Sequence, residues 1–377
     1  MRVSYVCIDP GVPVFGAKGA SVHVQEVVRA LRRAGHEVVV YTTRRGDLVP
    51  ADLADLEVVE SPVRATDPAR REREQAGISR RIAHDILAGG TDLVYERYSL
   101  FSTALAAVTR SCPARGVLEV NAPLIDEQRK HRVLVNERAA LHALHAQTGC
   151  ARLTVCVSDP VRRWVERLAP GARALTVPNG VSLERIGPFP EDPSGVVVAF
   201  VGTLKPWHGV EDLMRAAALA RAPWSVRVIG EGPQMPALRA LADGLGLDVD
   251  FRGAVPPEEV PAHLAGAAVG VAPYPDLGGA DEQYFSPLKV LEYLAAGLPV
   301  VASAVGQLPR TLQGVGVLVP PGDPARLAEA IDALAADPDE RARLGALGRR
   351  RAEERHGWER VVATVLDRVR REEVAES

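Results

Sequence analysis

The sequence predicts an α/β protein made of two doubly wound, parallel-sheet domains that face a central cleft. Three observations carry this. Both halves open with the same order of strand, Gly-bearing loop, amphipathic helix and strand, the unit from which parallel sheets with helices on both faces are built. The length, 377 residues, exceeds what one hydrophobic core usually organises. Between the halves, Ile186-Gly187-Pro188-Phe189-Pro190-Glu191-Asp192-Pro193-Ser194-Gly195 concentrates the residues that interrupt regular structure. Residues 1–185 are therefore expected as one domain, 186–195 as a linker, 196–355 as the second domain and 356–377 as a terminal helix.

Taken in order, Val3 to Ile8 reads as a strand, followed by a Gly-rich loop through Gly19. A helix is expected from about Ser21, with Val24, Val27, Val28 and Leu31 on one face, closed by Gly35, and Glu37 to Thr42 is the next strand. In the second half, Val196 to Val201 is a strand, Gly202 to Gly209 a loop, and Val210 to Ala220 a helix with Val210, Leu213, Met214 and Ala217 together. Ser225 to Ile229 follows as a strand ended by Gly230-Glu231-Gly232-Pro233. Asp67 to Ile86 and Asp126 to Gln147 read as charged helices whose faces are solvated, ahead of an acceptor-facing or membrane-leaning surface. In the tail, Trp358, Val361, Val362, Val365 and Val369 keep helical spacing and make a docking helix.

Composition excludes several classes. A net charge of −3 argues against a nucleic-acid partner held by charge. Cys7, Cys112, Cys150 and Cys156 form no CxxC pair, which favours a reduced, cytoplasmic setting. The opening apolar run is too short for a signal-peptide core, and no run approaches the ~20 residues of a membrane span. No metal or other cofactor is expected. Asp248-Val249-Asp250 leads into a strand edge, and His142 and His145 lack partners at ligand spacing.

The most informative stretch is Ser286-Pro287-Leu288-Lys289, followed by an apolar helix that ends at Gly297 and a buried strand to Ser303. Ser286 suits an N-cap, Pro287 the first helical position and Gly297 a left-handed C-cap. The Leu288 and Lys289 amides would then point out of the helix start beside an ammonium, as a phosphate site requires. Lysine usage agrees. Of 45 basic residues only Lys18, Lys130, Lys205 and Lys289 are lysines, and all but Lys130 sit in Gly- or Pro-bearing loops next to strands. A compact ammonium is a good phosphate ligand.

With these residues in place the chain resembles the retaining glycosyltransferases of family 4, which have the GT-B fold of two Rossmann-like domains. The resemblance rests on six pieces in the family's order, the Ser286 stretch and five others: Gly35-His36-Glu37-Val38 after the first helix, Tyr95-Glu96-Arg97-Tyr98, Val177-Pro178-Asn179-Gly180-Val181, Phe200-Val201-Gly202, and Val228-Ile229-Gly230-Glu231-Gly232-Pro233. It implies transfer of a sugar from a nucleotide diphosphate sugar, UDP by default, to a small-molecule or glycan acceptor, with retention and without a protein nucleophile. The first domain would bind acceptor, through Lys18, Glu96 and Arg97, and the second domain donor. The terminal helix would pack back on the first domain.

For the donor the resemblance implies Gly16, Gly19, Lys205, His208, Gly232, Ser286, Pro287, Leu288, Lys289 and Glu292, the last on the ribose hydroxyls. Lys205 and Lys289 would neutralise the departing diphosphate, with Gly19 admitting backbone to the β-phosphate and His208 hydrogen-bonding a phosphate oxygen. The chain departs from the family pattern in three places. Tyr284 stands where a glutamate contacts the donor sugar, with Asp281, Glu282 or Gln283 as substitutes. Thr203 and His208 stand where the family clamps diphosphate with Arg and Lys. Glu119 and Asn121 end a strand where relatives carry a histidine, and a nucleophile role for Glu119 is discounted. Two other readings are a nucleotide-sugar epimerase, using a carboxylate pair such as Glu119 and Glu127, and a non-catalytic nucleotide-sugar-binding protein. A dinucleotide oxidoreductase is disfavoured because neither loop spells G-x-G-x-x-G.

Overall fold

Valine-rich runs bounded by Gly and Pro become strands, and the amphipathic stretches between them become the crossover helices of parallel sheets. The structure, a computed structural model, describes residues 1–279 and 281–374. The chain falls into two compact units, Met1–Asn179 together with the segment from Trp358 on, and Gly180–Gly357. The end of the expected 356–377 helix, residues 375–377, lies outside the described residues.

In the first unit the strands are β1 (Arg2–Cys7), β2 (Glu37–Thr42), β3 (Glu57–Glu60), β4 (Leu93–Arg97), β5 (Arg115–Val120), β6 (Leu153–Cys156) and β7 (Ala174–Thr176). They form one sheet in the order β3-β2-β1-β4-β5-β6-β7, with every pairing parallel. The order reverses between β1 and β4, where Cys7 lies opposite Arg97, and Arg97 in turn lies opposite Glu119 on β5. The helix Trp358–Val374 belongs to this unit and buries Trp358, Val361, Val362, Val365 and Val369, the face its spacing predicts. The Trp358 indole meets the His23 ring edge-on at 4.8 Å, and Glu359 pairs with Arg33. The first helix starts at Gly19, earlier than expected, and runs to Arg33.

The charged stretch expected as one helix over 126–147 is two, Leu124–His131 and Glu137–Cys150. Asn136 causes the break by capping the second helix, its side chain accepting from the Ala139 N–H at 3.0 Å. Glu72, from the helix Pro68–Gly89, holds the joint by accepting the Val135 and Asn136 N–H groups at 2.7 and 2.8 Å.

The second unit has β8 (Val196–Val201), β9 (Trp224–Ile229), β10 (Val249–Gly253), β11 (Val269–Ala272), β12 (Val300–Ser303) and β13 (Gly316–Val319). Their order is β10-β9-β8-β11-β12-β13, again all parallel. The 186–195 stretch, expected as a linker, packs on this unit. Ile186 is fully buried, the Asp192 N–H donates to the Gly266 carbonyl at 3.0 Å, and Arg341 donates to Glu191 at 2.7 Å. Its prolines stiffen an ordered segment; the chain passes between units at Asn179/Gly180 and at Gly357/Trp358 instead.

The helix Leu288–Ala295 ends as the sequence predicts. Gly297 takes φ 71°, and the Leu298 and Gly297 N–H groups donate to the Tyr293 and Leu294 carbonyls at 2.9 and 3.1 Å. Tyr293, on the buried side, joins two strands: its hydroxyl accepts from the Val201 N–H at 2.8 Å and donates to the Val271 carbonyl at 3.2 Å. Replacing it, Tyr293→Phe, leaves a buried N–H and a buried carbonyl unpaired, which costs about 1–3 kcal/mol. Urea unfolding followed by a probe in the second unit should show that loss; an unchanged midpoint would remove Tyr293 from this role.

Candidate functional site

In open α/β sheets the ligand crevice lies beyond the carboxyl ends of the strands, where the order reverses. In the second unit that point lies between β8 and β11. The loop 202–209 leaves β8 there, Pro273-Tyr274-Pro275 leaves β11, and the helix Leu288–Ala295 brings in Lys289. The Lys289 side chain is buried, with Nζ 4.0 Å from the Phe200 ring centroid and 4.9 Å from that of Tyr274. Nζ has no hydrogen-bond partner among the described residues. Gly202, at φ 137°, lies against it: a Cβ there would stand 3.2 Å from both Cε and Nζ. Burial lowers the Lys289 pKa to about 7, and Glu292 one turn away only partly opposes this. Two aromatic faces soften the desolvation of the ammonium without satisfying its donors. Such a group is completed by an anion.

The other expected donor-side cations gather around it. Lys205 is half-buried, with Nζ 5.5 Å from the Trp207 ring, and the His208 ring lies 5.8 Å from Tyr274. His208 Nδ1 bonds the Thr203 carbonyl, so Nδ1 carries the proton. Burial, then the Lys289 and Lys205 charges, lower its pKa to about 4. The ring is therefore neutral, and its Nε2 is an acceptor. In this state Nε2 suits a hydroxyl or N–H donor, and the expected hydrogen bond from His208 to a phosphate oxygen requires the ring to take up a proton. Gly232 lies in a turn fastened to this loop, the Leu204 N–H donating to the Glu231 carbonyl at 3.0 Å and the Gln234 N–H to the Leu204 carbonyl at 3.2 Å.

The helix start differs from expectation. Pro287, not Ser286, occupies the capping position, and no side chain caps the helix. With φ −81° and ψ 80°, Pro287 is the centre of a tight three-residue turn in which the Leu288 N–H donates to the Ser286 carbonyl at 3.0 Å. Leu288 is thus already spent, and the Lys289 amide is the one that no backbone carbonyl receives among the described residues. Glu292 Oε1 lies 3.8 Å from Arg185, a partner that nothing in the local sequence announces. Of the expected sugar contacts, Glu282 is exposed and Tyr284 half-buried. Gln283 is buried and donates to the Pro275 carbonyl at 2.8 Å, so it ties the loop rather than presenting its amide.

In the first unit, Gly16 accepts from Gln25 at 3.2 Å, and Lys18 is exposed just before the helix that Gly19 begins. Glu96, expected to face acceptor, is fully buried. It accepts from the Ser102 hydroxyl and, at 2.8 Å, from the Leu105 N–H in the first turn of the helix Ala104–Ser111. Burial pushes its pKa up to about 7 against those bonds. It anchors a helix. Glu119 likewise is no open strand-end carboxylate: it takes His23 Nε2 at 2.8 Å, the Tyr95 hydroxyl at 3.0 Å and the Asn121 amide at 3.3 Å. Burial alone would raise its pKa, but the His23 ring, Arg97 and Asn121 outweigh it and hold the carboxyl well below its ordinary range. Arg97 beside them keeps one guanidinium nitrogen, Nη1, buried without a hydrogen bond. Outside both groups, the Asp250 carboxylate is taken by Arg252 at 2.7 Å and Arg227 at 2.9 Å, and no cluster of metal-ligating side chains occurs among the described residues.

Comparisons with known proteins bear on both units. The family described as Glycosyltransferase Family 4 matches residues 17–185, and that described as Glycosyl transferases group 1 matches residues 195–337. The chain is 29% identical over 230 residues to a GDP-mannose-dependent alpha-(1-6)-phosphatidylinositol monomannoside mannosyltransferase of Mycobacterium tuberculosis, covering 56% of this chain and 60% of that protein. It is 35% identical over 246 residues to a D-inositol 3-phosphate glycosyltransferase of Geodermatophilus obscurus, covering 57% of this chain and 51% of that protein. The chain thus spans only about half to three-fifths of these curated relatives. Among solved structures, sucrose-phosphate synthase from Thermosynechococcus elongatus superposes with a TM-score of 0.74 at 22% identity, covering 100% of both chains. Anabaena HepE in complex with UDP-glucose gives a TM-score of 0.71 at 18% identity, covering 97% of this chain and 99% of that one.

The buried ammonium sets a pH signature. Between about 7, its value in the folded protein, and its ordinary 10.5, the unfolded chain holds a proton that the folded chain gives up, so stability rises with pH across that window. Below it the burial cost is fully present. The variant Lys289→Met should therefore gain most stability over the parent below about pH 7, with the gain shrinking toward 10.5. Unfolding free energies of both proteins across this range test it, and a pH-independent difference would contradict the burial of Nζ.

Proposed function

Because the chain has the GT-B fold and belongs to glycosyltransferase family 4, we propose that it is a retaining glycosyltransferase. It moves a sugar from a nucleoside diphosphate sugar to an acceptor hydroxyl, without a metal or a protein nucleophile. The observation that carries this reading is the partnerless Lys289 ammonium at the reversal point of the second sheet. A diphosphate supplies the missing charge. As the bond from the anomeric carbon to the phosphate oxygen breaks, negative charge grows on that oxygen, and cations fixed in advance stabilise it without reorganising. Lys289, its own amide and Lys205 supply that field; the acceptor oxygen bonds the anomeric carbon and its proton passes to the leaving phosphate.

The Mycobacterium tuberculosis relative is named for GDP-mannose, so GDP-mannose stands ahead of the uridine donors as the first donor to test. In this reading Glu292, with Arg185 3.8 Å away, takes the ribose of the nucleoside end. The epimerase reading loses its main carboxylate, since Glu119 is held by three donors inside the first unit. All four cysteines are free, which suits the proposed cytoplasmic setting.

Purified protein incubated with GDP-mannose or UDP-glucose, acceptor and EDTA should release nucleoside diphosphate and form a product of unchanged anomeric configuration by NMR. Lys289→Ala should lose about 10²–10³-fold in turnover, the usual cost of removing one preorganised charge-stabilising group; near-parental turnover would sink the reading. Nucleotide binding should also draw a proton onto Lys289 above pH 7, the value the free site holds. Calorimetry in buffers of different ionisation enthalpy reads that uptake, and its absence would place the diphosphate elsewhere.

A further inference from the structure

The first sheet reverses its strand order between β1 and β4, and Arg97 is the last residue of β4. In an open α/β sheet that point is where a ligand crevice forms. Exposed arginines such as Arg44, Arg110 and Arg167 need no protein partner, since water serves their donors. Arg97 differs. It is half-buried, its Nη1 is shut off from solvent, and nothing accepts from that nitrogen among the described residues. A guanidinium does not give up its proton in a protein, so titration cannot remove the unmet donor.

The groups able to neutralise Arg97 are committed elsewhere. Cys7 lies opposite it on β1 and Glu119 opposite it on β5. Burial pushes the Cys7 thiol up to about 12, so it carries no charge. Glu119, whose burial is offset by His23 and then by Arg97, lies within reach of the guanidinium charge. Its oxygens, however, are taken by His23, Tyr95 and Asn121. Asp9, just beyond β1, accepts from the Gly11 N–H at 2.7 Å.

A second unmet donor shares this face. Side chains alternate along a strand, so Tyr5 and Cys7 of β1 point the same way as Tyr95 and Arg97 of β4. The Tyr5 and Tyr95 rings stack with centroids 5.7 Å apart and planes 15° apart, and Tyr95 sends its hydroxyl to Glu119. The Tyr5 hydroxyl is fully buried and has no partner among the described residues. Burial, then the Glu119 charge, raise its pKa, so it stays an O–H donor, and the Arg97 charge reaches it. Two donors, one of them cationic, thus lack acceptors at one place. An oxyanion answers both.

We propose that Arg97 determines acceptor specificity and that the acceptor carries an oxyanion, which the Arg97 fork binds with the Tyr5 hydroxyl as second donor. This rests on the glycosyltransferase reading and adds the chemical class of the acceptor. Phosphate monoesters and carboxylates share the required chemistry; a neutral sugar leaves the buried donors unanswered.

Calorimetry of the full chain saturated with GDP or UDP tests it, with inorganic phosphate, glucose 6-phosphate, glucuronate and glucose as probes. The anionic probes should bind and glucose should not; glucose 6-phosphate ahead of glucuronate marks a phosphate monoester, the reverse a carboxylate. Arg97→Gln should weaken anion binding about tenfold or more, the worth of a hydrogen bond to a charged group, while nucleotide affinity holds. Arg97→Lys keeps the charge without the fork and should fall between; should Arg97→Gln misfold, parental affinity in the lysine variant overturns the proposal. Anions that do not bind, or bind regardless of Arg97→Gln, also overturn it, and an equal loss of nucleotide affinity does so by giving Arg97 to the donor. Transfer to neutral and anionic acceptors alike, indifferent to Arg97→Gln, overturns this inference and leaves the transferase reading standing. Anion binding that depends on Arg97, without transfer from any donor, does the reverse.

Discussion

The second unit is organised around an ammonium group removed from water without a counter-ion. Lys289 lies between Phe200, the penultimate residue of β8, and Tyr274, just beyond β11, under a loop that can approach only because residue 202 has no side chain. Phe200 and Gly202 come from one side of the reversal in strand order, Tyr274 from the other, and Tyr293 on the lysine's own helix bonds both strands. The features that build the cage are thus the features that hold the sheet together at its centre. An unpaired buried charge is tolerable only where the surrounding fold over-determines it, and such places are characteristically functional.

The first unit solves the opposite problem. Three of its buried carboxylates are taken up by internal donors: Glu119 by His23, Tyr95 and Asn121, Glu96 by the start of a helix, Glu72 by the joint at Val135. Here buried charge is structural, and truncating one partner would strand the other. The contrast lies in these groups: Lys289 of the second unit has no hydrogen-bond partner among the described residues, whereas these three carboxylates of the first are satisfied internally.

The fold was legible because its signals are local. Val196 to Val201 with its Gly-bearing loop, the tail spacing from Trp358, and the Gly297 cap each depend on near neighbours in sequence. Lys289 was legible for the same reason, from proline, lysine and glycine placed about one short helix. What surrounds it was not. Tyr274 and Arg185 reach the site through tertiary structure, and Glu119 meets a histidine 96 residues away. Strand-end acids such as Glu96 and Glu119 look identical in sequence whether they face a ligand or an interior donor; only burial separates the cases. Similarly, the linker reading of 186–195 failed because prolines that break regular structure also stiffen an ordered segment, and Ile186 and Glu191 bind that segment within the second unit.

One further consequence follows from the path of the chain. The second unit is continuous, whereas the first is assembled from both sides of it, and its His23 is covered only when Trp358 arrives. On the ribosome the order of completion is therefore inverted: the later unit can close as soon as its own residues emerge, while the earlier one waits, its Rossmann core formed but its edge bare, for the last helix to be made.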